Sequence, residues 1–163
     1  MKPPARRRSS LSRDRRNATH GITVAREPGV WAPTSRMIAN VVRVVARAEG
    51  VPHAAMSVAL VSNATIRRIN ARHLGHRRIT DVIAFTLTGP DGALGGEVYI
   101  APAVARASAQ ALGIPALEEL LRLVIHGVLH VLGHDHPGDE RRLASAMWRR
   151  QEALLVRVLR GVE

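Results

Sequence analysis

The sequence contains no cysteine. A disulfide framework and a thiolate metal site are therefore both excluded, so any metal must be held by histidine and carboxylate side chains. Aromatic residues are also scarce, with one Phe, one Tyr and two Trp among 163 residues, although 46% of the residues are hydrophobic. A chain of this length can bury a core, and that core must be built from Val, Ile, Leu and Ala.

Long apolar runs are missing as well. The best candidate is interrupted by Arg122, His126 and His130, so no segment approaches the length of about 20 residues that spans a bilayer. We therefore expect a soluble, cytoplasmic protein with no membrane partner.

Acidic residues are in the minority, and the excess of positive charge is uneven. The formal net charge is +11, and residues 1–16 carry seven basic side chains against Asp14 alone. Because the start of the chain lacks a periodic apolar pattern, we expect residues 1–19 to form a disordered basic arm and residues 20–163 the folded domain. No apolar segment follows the charges, which argues against a secretory signal. Such an arm adds salt-dependent affinity for RNA, although a solvated tail or an organellar transit peptide has a similar composition.

The first part of the domain has the pattern of a strand, a helix and a second strand. Alternating apolar residues predict strands over 21–26 and 55–61. Between them, a buried stripe of helical period predicts a helix that is capped by Thr34 and ends near Glu49. This order of elements favours a parallel pair of strands.

A short helix and a hairpin are expected next. Asn63 is expected to cap a helix that ends near His73. Two strands, 82–87 and 94–100, are separated by the turn Gly89-Pro90-Asp91-Gly92 and are expected to pair antiparallel. The predicted fold class is α+β, with a single domain in which a mixed four-stranded sheet packs against helices.

Three further helices complete the domain. Pro102 suits the first turn of a helix that ends at Leu112. The helix that begins at Pro115 is apolar nearly all round, so we expect it to be the central buried helix. Asp139 is expected to cap the last helix, whose exposed side is rich in arginine.

The central helix leads into a regular histidine pattern, which reads His126-Gly127-Val128-Leu129-His130-Val131-Leu132-Gly133-His134-Asp135-His136. His126 and His130 are four residues apart and so share one helical face. Gly133 can end the helix in a left-handed turn and bring His136 back towards them. Three neutral imidazole ligands with a fourth position left for water are typical of a catalytic zinc site. The predicted central helix is therefore a metal-binding helix.

The histidine pattern also has other interpretations. A single histidine on an apolar helix face is most often a core residue with a satisfied hydrogen bond, but three at this spacing favour a metal site. Imidazole also accepts nickel and copper, so the ligand set does not select zinc. Gly127 weakens the helix by about 1 kcal/mol relative to Ala, which indicates either room for a phosphate or tight packing.

The pattern is similar to that of two known families. Its spacing equals that of the metzincin proteases, but Gly127 occupies the position of their general-base glutamate, which argues against ordinary peptidase chemistry. The stretch closely resembles the signature of the YbeY-type rRNA-maturation endoribonucleases, His-Gly-x-Leu-His-x-x-Gly-Tyr-Asp-His. His134 stands in the place of the usual Tyr.

The resemblance extends over about residues 20–155. Further family motifs have counterparts elsewhere in the chain. These are Asn70, the segment from Thr80 to Phe85, Gly96-Glu97-Val98, and Met147 and Glu152 in the last helix.

The chain departs from the family at Leu74. Many relatives have an arginine implicated in function there. Arg77 or Arg78 could supply the missing charge from nearby.

The resemblance implies a zinc-dependent, single-strand-specific endoribonuclease that acts in maturation of the 3′ end of 16S rRNA and in ribosome quality control. It implies one zinc ion held by His126, His130 and His136, which act through the metal and its water. The implied partners are ribosomal RNA and, as a further expectation, a small-subunit ribosomal protein and a ribosome-assembly GTPase.

Several residues around the histidines are candidates for supporting roles. Asp135 is expected to orient a ligand rather than bind the metal. His134 is more often a surface residue than a proton carrier. Arg77, Arg78 and Arg122 are candidate RNA contacts.

Two alternative functions remain from the sequence. One is a ribosome-assembly RNA-binding module with a structural zinc, and the other is a zinc hydrolase of peptides or small molecules. A structural site normally closes its fourth position with a protein ligand, so the surroundings of Asp135 and Glu97 distinguish these functions.

Overall fold

The computed structural model describes residues 21–161, so the predicted basic arm lies outside the described residues. The elements in chain order are β1 (Ile22–Arg26), α1 (Ser35–Ala48), β2 (Ala55–Leu60), α2 (Asn63–Leu74), β3 (Val82–Thr88), β4 (Leu94–Ile100), α3 (Pro102–Leu112), α4 (Ala116–Val131), a 3-10 helix (Glu140–Ala144) and α5 (Ala146–Arg160). This succession confirms the predicted α+β class.

The strands of the described part form one mixed sheet in the order β1-β2-β4-β3. β1 and β2 pair in parallel with Ile22 opposite Met56, and β2 and β4 pair in parallel with Ala55 opposite Gly95. β3 and β4 form the antiparallel hairpin, with Val82 opposite Ile100. The parallel β1–β2 pair and the hairpin are both as predicted, and β3 lies at one edge of the sheet.

The helix caps agree with the sequence in one case and correct it in two. Thr34 caps α1, since its side chain accepts a hydrogen bond from Met37 N at 3.2 Å. The cap of α2 is Ser62 rather than Asn63, because the hydroxyl of Ser62 accepts from Thr65 N at 3.2 Å. Asp139 caps only the 3-10 helix.

The predicted last helix is thus divided in two. α5 begins later than expected and is capped by Ser145, whose hydroxyl accepts from Trp148 N at 3.1 Å.

The main core lies between one face of the sheet and helices α1, α4 and α5, and it is aliphatic as predicted. A smaller cluster on the other face involves Ile66 of α2 and Ile83 of β3. α4 contacts α1, α3, α5, β3 and β4, which makes it the central helix of the domain. Within residues 21–161, no helix combines the length and the apolar character needed to cross a bilayer.

Candidate metal centre

The central helix α4 rests directly on the β3–β4 hairpin at Gly127. A Cβ atom at this position would collide with the side chain of Val98, and it would lie 3.1 Å from Cγ2 of Val82. Of the two explanations for this glycine, tight packing against the strands is therefore confirmed. The close approach fixes the height of α4 above the sheet, and with it the position of the neighbouring His126.

The third histidine is supplied by the chain reversal after α4. Gly133 adopts a left-handed conformation with φ of 92°, and His134 N donates to Leu129 O at 3.0 Å. This is the hydrogen-bond pattern of a Schellman motif, which turns the chain back on the end of a helix. Asp135 then accepts a hydrogen bond from His136 N at 2.8 Å. His136 is thereby carried back to the face of α4 that bears His126 and His130.

The three rings point their Nε2 atoms at one place. Nε2 of His130 lies 3.1 Å from that of His126 and 3.2 Å from that of His136, and the third distance is 3.3 Å. Zinc–nitrogen bonds of about 2.0–2.1 Å at tetrahedral angles place two nitrogens about 3.3–3.4 Å apart. The triangle is thus the size of one face of a zinc coordination tetrahedron, as the spacing predicts.

The described residues supply only these three ligands. No carboxylate within residues 21–161 joins the three histidines. Glu97 accepts a hydrogen bond from the Tyr99 hydroxyl at 3.2 Å, and Asp135 is bonded to the backbone of His136. The arrangement therefore has the three-histidine form of an open site rather than the four-ligand form of a structural one.

The Nδ1 atoms of two of the three rings are also hydrogen-bonded. His126 Nδ1 lies 2.7 Å from Gln151 Oε1, and His136 Nδ1 lies 2.8 Å from Pro137 O. Both partners are acceptors, so each Nδ1 carries the proton and each Nε2 keeps a lone pair for a metal. Gln151 is buried on α5. It is a functional residue that the sequence analysis missed.

Burial favours the neutral form that metal binding needs. Loss of water around the ring, with smaller contributions from the nearby His130 and His136, lowers the pKa of His126 to about 4 against the opposing effect of Gln151. Burial, followed by His136, also lowers the pKa of His130. Both helix-borne rings are therefore neutral at pH 7 and available as ligands.

Comparison with known proteins decides the family. A family profile described as Endoribonuclease YbeY matches residues 28–158. The chain belongs to the YbeY endoribonuclease family. The Endoribonuclease YbeY of Chlorobaculum tepidum is 36% identical over 111 residues, which cover 68% of this chain and 80% of that protein. The Persephonella marina protein of the same name is 29% identical over 137 residues, which cover 82% of this chain and 89% of the relative.

A solved structure supports the fold of this YbeY family member. The solution structure of TM1509 from Thermotoga maritima matches it with a TM-score of 0.60 and 26% sequence identity. The match covers 86% of this chain and 90% of that one.

Arg122 takes part in an ion-pair network between α4 and α5. Its guanidinium donates to Glu118 at 3.0 Å, to Glu119 at 2.5 Å and to Glu152 at 2.9 Å. Burial alone would lower the pKa of Arg122, but these carboxylates raise it above its ordinary value. Arg122 therefore ties α4 to α5, and its expected contact with RNA stays a prediction. Gln151 joins the same network through its amide nitrogen, which donates to Glu152 at 3.0 Å.

Arg77 and Arg78 lie exposed in the loop between α2 and β3. Arg77 lines an open groove together with Arg67 and Arg68 of α2, two basic residues that the sequence analysis did not single out. Leu74, at the position of the family arginine, has 49% of its surface exposed. Contact of these arginines with RNA stays a prediction.

His134 lies outside the metal triangle. Its Nε2 is 2.7 Å from Glu49, which also accepts from Arg150 at 2.6 Å. Burial raises the pKa of Glu49, but the hydrogen bonds from Arg150 and His134 together outweigh it and lower the pKa below its ordinary value. His134 thus fastens the loop after α4 to the end of α1.

Asp81 is a second residue near the site that the sequence analysis did not assign. Its negative charge raises the pKa of His126, against the larger effect of burial. One carboxylate oxygen accepts from Val82 N at 2.8 Å and from the Thr80 hydroxyl at 3.2 Å. The signal was present, since Thr80-Asp81-Val82 belongs to a segment that resembles the family.

Proposed function

We propose that this protein is a zinc-dependent endoribonuclease that cuts single-stranded RNA. Membership of the YbeY family supports the activity, because the curated relatives are named endoribonucleases. The proposed metal dependence rests on the triangle of three Nε2 atoms, which lie 3.1–3.3 Å apart and have no fourth ligand from residues 21–161. An open coordination position is what a hydrolytic metal site needs.

The residues of the chain have separable tasks in this proposal. A divalent ion bound there would supply Lewis acidity at a phosphoryl oxygen and an acidified water as nucleophile. Gln151 and the carbonyl of Pro137 hold the proton of their ligand rings on Nδ1. Asp135 fixes the backbone of the loop-borne ligand. The net charge of +11 favours a polyanionic substrate such as RNA.

The proposed biological role follows the family. We assign the enzyme to maturation of the 3′ end of 16S rRNA and to ribosome quality control in the cytoplasm. Its partners in this proposal are ribosomal RNA, a small-subunit ribosomal protein and a ribosome-assembly GTPase.

The activity is tested with an rRNA fragment that contains single-stranded and paired segments. We expect the purified, zinc-loaded protein to cut the unpaired segments, and a chelator to abolish cleavage. His130→Ala should be inactive, whereas His53→Ala, a change at an exposed histidine outside the triangle, should cut normally. Equal cleavage by wild type and His130→Ala would identify a contaminating nuclease and overturn the proposal.

Two other outcomes would point to the alternative functions. RNA binding without cleavage at any metal loading, with a large fall in melting temperature on chelation, would indicate a structural zinc. Activity on peptides or small molecules that is indifferent to salt and to deletion of residues 1–16 would indicate a different hydrolase.

A further inference from the structure

A cavity of about 580 Å³ opens directly beside the metal triangle. His126 forms part of its wall, with Asp81 nearby, and the remaining walls come from α3, α4, the 3-10 helix and α5. A ligand in this cavity would therefore contact the same side chain that holds the metal. The volume lies within the range of about 300–1,000 Å³ that is typical of small-molecule sites.

Exposed apolar side chains gather at this cavity. Leu112 and Leu143 are 65% and 56% exposed, the two highest values among the large hydrophobic residues exposed within residues 21–161. Both line the cavity, although they come from different elements, the end of α3 and the 3-10 helix. Apolar surface concentrated around a concave site is typical of a surface that a ligand covers.

An aromatic ring completes the apolar lining. Trp148 on α5 is half-buried and also lines the cavity. All four Phe, Tyr and Trp residues of the chain are partly exposed, and Trp148 is the one that lines this cavity. A tryptophan opposite aliphatic side chains suits a flat, apolar-faced ligand, and nucleobases have such faces.

Charges of both signs line the same cavity, and they include Asp81 and the ion pair of Arg122 with Glu119. Arg142 lines it, whereas its neighbour Arg141 is held by Asp139 at 2.7 Å. Arg142 can therefore approach a phosphate beside the bound ring, while Arg141 is already paired. An apolar lining with an aromatic ring, a guanidinium and one of the three triangle histidines at a single cavity suit a base and its adjoining phosphate in one stretch of RNA.

We propose that this cavity binds one unpaired nucleobase of the RNA, which stacks on Trp148 while the adjoining phosphate reaches the metal triangle. The inference rests on the proposed endoribonuclease function and adds a physical basis for strand selection to it. A base inside a duplex is already stacked and paired, so it cannot enter the cavity without being extruded. An unpaired base enters freely, so cleavage is restricted to single strands.

The binding step is tested by the fluorescence of Trp148 in metal-loaded protein. Trp31→Phe removes the other tryptophan, so that the signal comes from Trp148 alone. Adenosine 5′-monophosphate should quench this signal saturably, and ribose 5-phosphate, which lacks the base, should not. Equal behaviour of the two ligands, or no saturable quenching by the nucleotide into the tens of millimolar, would overturn the proposal.

The cleavage step is tested by three substitutions at one position. Trp148→Ala and Trp148→Leu should raise KM for single-stranded RNA by about 5- to 150-fold, the range measured for loss of a base–aromatic stack. Trp148→Phe keeps a smaller aromatic face, so its KM should rise less than that of Trp148→Leu. Melting temperatures show which variants fold. If Trp148→Leu folds and cuts with the wild-type KM, the stacking role is wrong.

The charge at the cavity has a matched control in the neighbouring residue. Arg142→Gln should raise KM and weaken its dependence on salt, whereas Arg141→Gln should change neither. Equal effects of the two changes would remove the assigned role of Arg142.

The outcomes for this cavity and for the enzyme are distinguishable. RNA cleavage by the wild type, with no response of Trp148 to nucleotide, defeats the base site and leaves the endoribonuclease. Nucleotide-specific quenching without RNA cleavage supports the base site and defeats the endoribonuclease. Quenching by an apolar peptide amide as strong as that by the nucleotide would indicate a peptide side chain as the occupant and overturn the proposal.

Discussion

The three metal-binding candidates come from two very different regions. His126 and His130 project from α4, where neighbouring Ile125 and Leu129 have no exposed surface. His136 lies in a loop of mostly exposed residues, and it is held by Asp135 and by the carbonyl of Pro137. The core therefore positions two ligands, and hydrogen bonds position the third. The same convergence is achieved by packing on one side and by polar contacts on the other.

The largest expected effect comes from disturbing the packing beneath the helix. Gly127→Leu places a side chain against Val98 and Val82, and overpacking of a core costs about 1–3 kcal/mol and occasionally more. Urea unfolding of the metal-free protein should show this loss. Gly138→Ala is the control, since a Cβ there meets nothing within 4 Å. Equal stability of Gly127→Leu and wild type would mean that the hairpin does not set the position of α4.

The second largest effect is expected from loss of the hydrogen bond between Gln151 and His126, one of the two ligand candidates on α4. Gln151→Leu introduces an apolar side chain of similar size and removes the acceptor for Nδ1–H. Loss of such a contact lowers metal affinity by about 10- to 100-fold. Zinc titration by calorimetry measures it, with Gln110→Leu on the exposed side of α3 as the control. Unchanged affinity in a folded Gln151→Leu would show that this hydrogen bond does not orient the ring.

A smaller loss of zinc affinity is expected from a change near His136, the ligand candidate in the loop. Asp135→Ala removes one hydrogen bond to His136 N, which is worth about 1 kcal/mol and hence about fivefold in zinc affinity. Asp135→Asn keeps an oxygen acceptor and should bind zinc nearly as well as wild type. If the two variants lose affinity equally, the charge of Asp135 matters rather than its hydrogen bond.

The smallest effect concerns the link between the loop and α1. The hydrogen bonds from Arg150 and His134 hold the pKa of Glu49 below its ordinary value of 4.5, so the unfolded chain binds the proton more readily. The contribution of Glu49 to stability is thus complete above pH 4.5 and declines as the pH falls through the lowered pKa.

Glu49→Gln should therefore cost about 1 kcal/mol at pH 7, with a difference that shrinks in acid. Urea unfolding of the metal-free protein across this pH range measures the difference, and Glu140→Gln at an exposed carboxylate is the control. A difference that stays constant with pH would exclude ionisation of Glu49 as its source.

The secondary structure could be predicted where one local pattern decided it. Alternation and helical period located the strands and helices, and Thr34 was identified as a cap. The caps of α2 and α5 could not be chosen locally, because Ser62 and Asn63 are adjacent candidates and Asp139 and Ser145 lie near each other. Ser62 also bonds Glu27 at 2.9 Å, a contact between distant parts of the chain that favours it.

The residues of the candidate site also fall into those that a local sequence pattern predicts and those that it does not. The three histidines were predictable, because i,i+4 spacing and a helix-ending glycine are local features. Gln151 and the partners of Arg122 were not, because these contacts depend on how α5 packs against α4. A buried glutamine in a helix has no sequence pattern that distinguishes it from an exposed one.

Gln151 has both ends of its amide engaged, and only one orientation satisfies them. The oxygen meets the ring of His126, and the nitrogen meets Glu152, which also accepts from Arg122. A reversed amide would set two donors against each other at the ring and two acceptors against each other at the carboxylate. The ion pair between α4 and α5 thus sets the tautomer of a candidate metal ligand. Loss of the charge at Glu152 would free the amide of Gln151 to turn, and the proton of His126 could then move to the nitrogen that a metal would need.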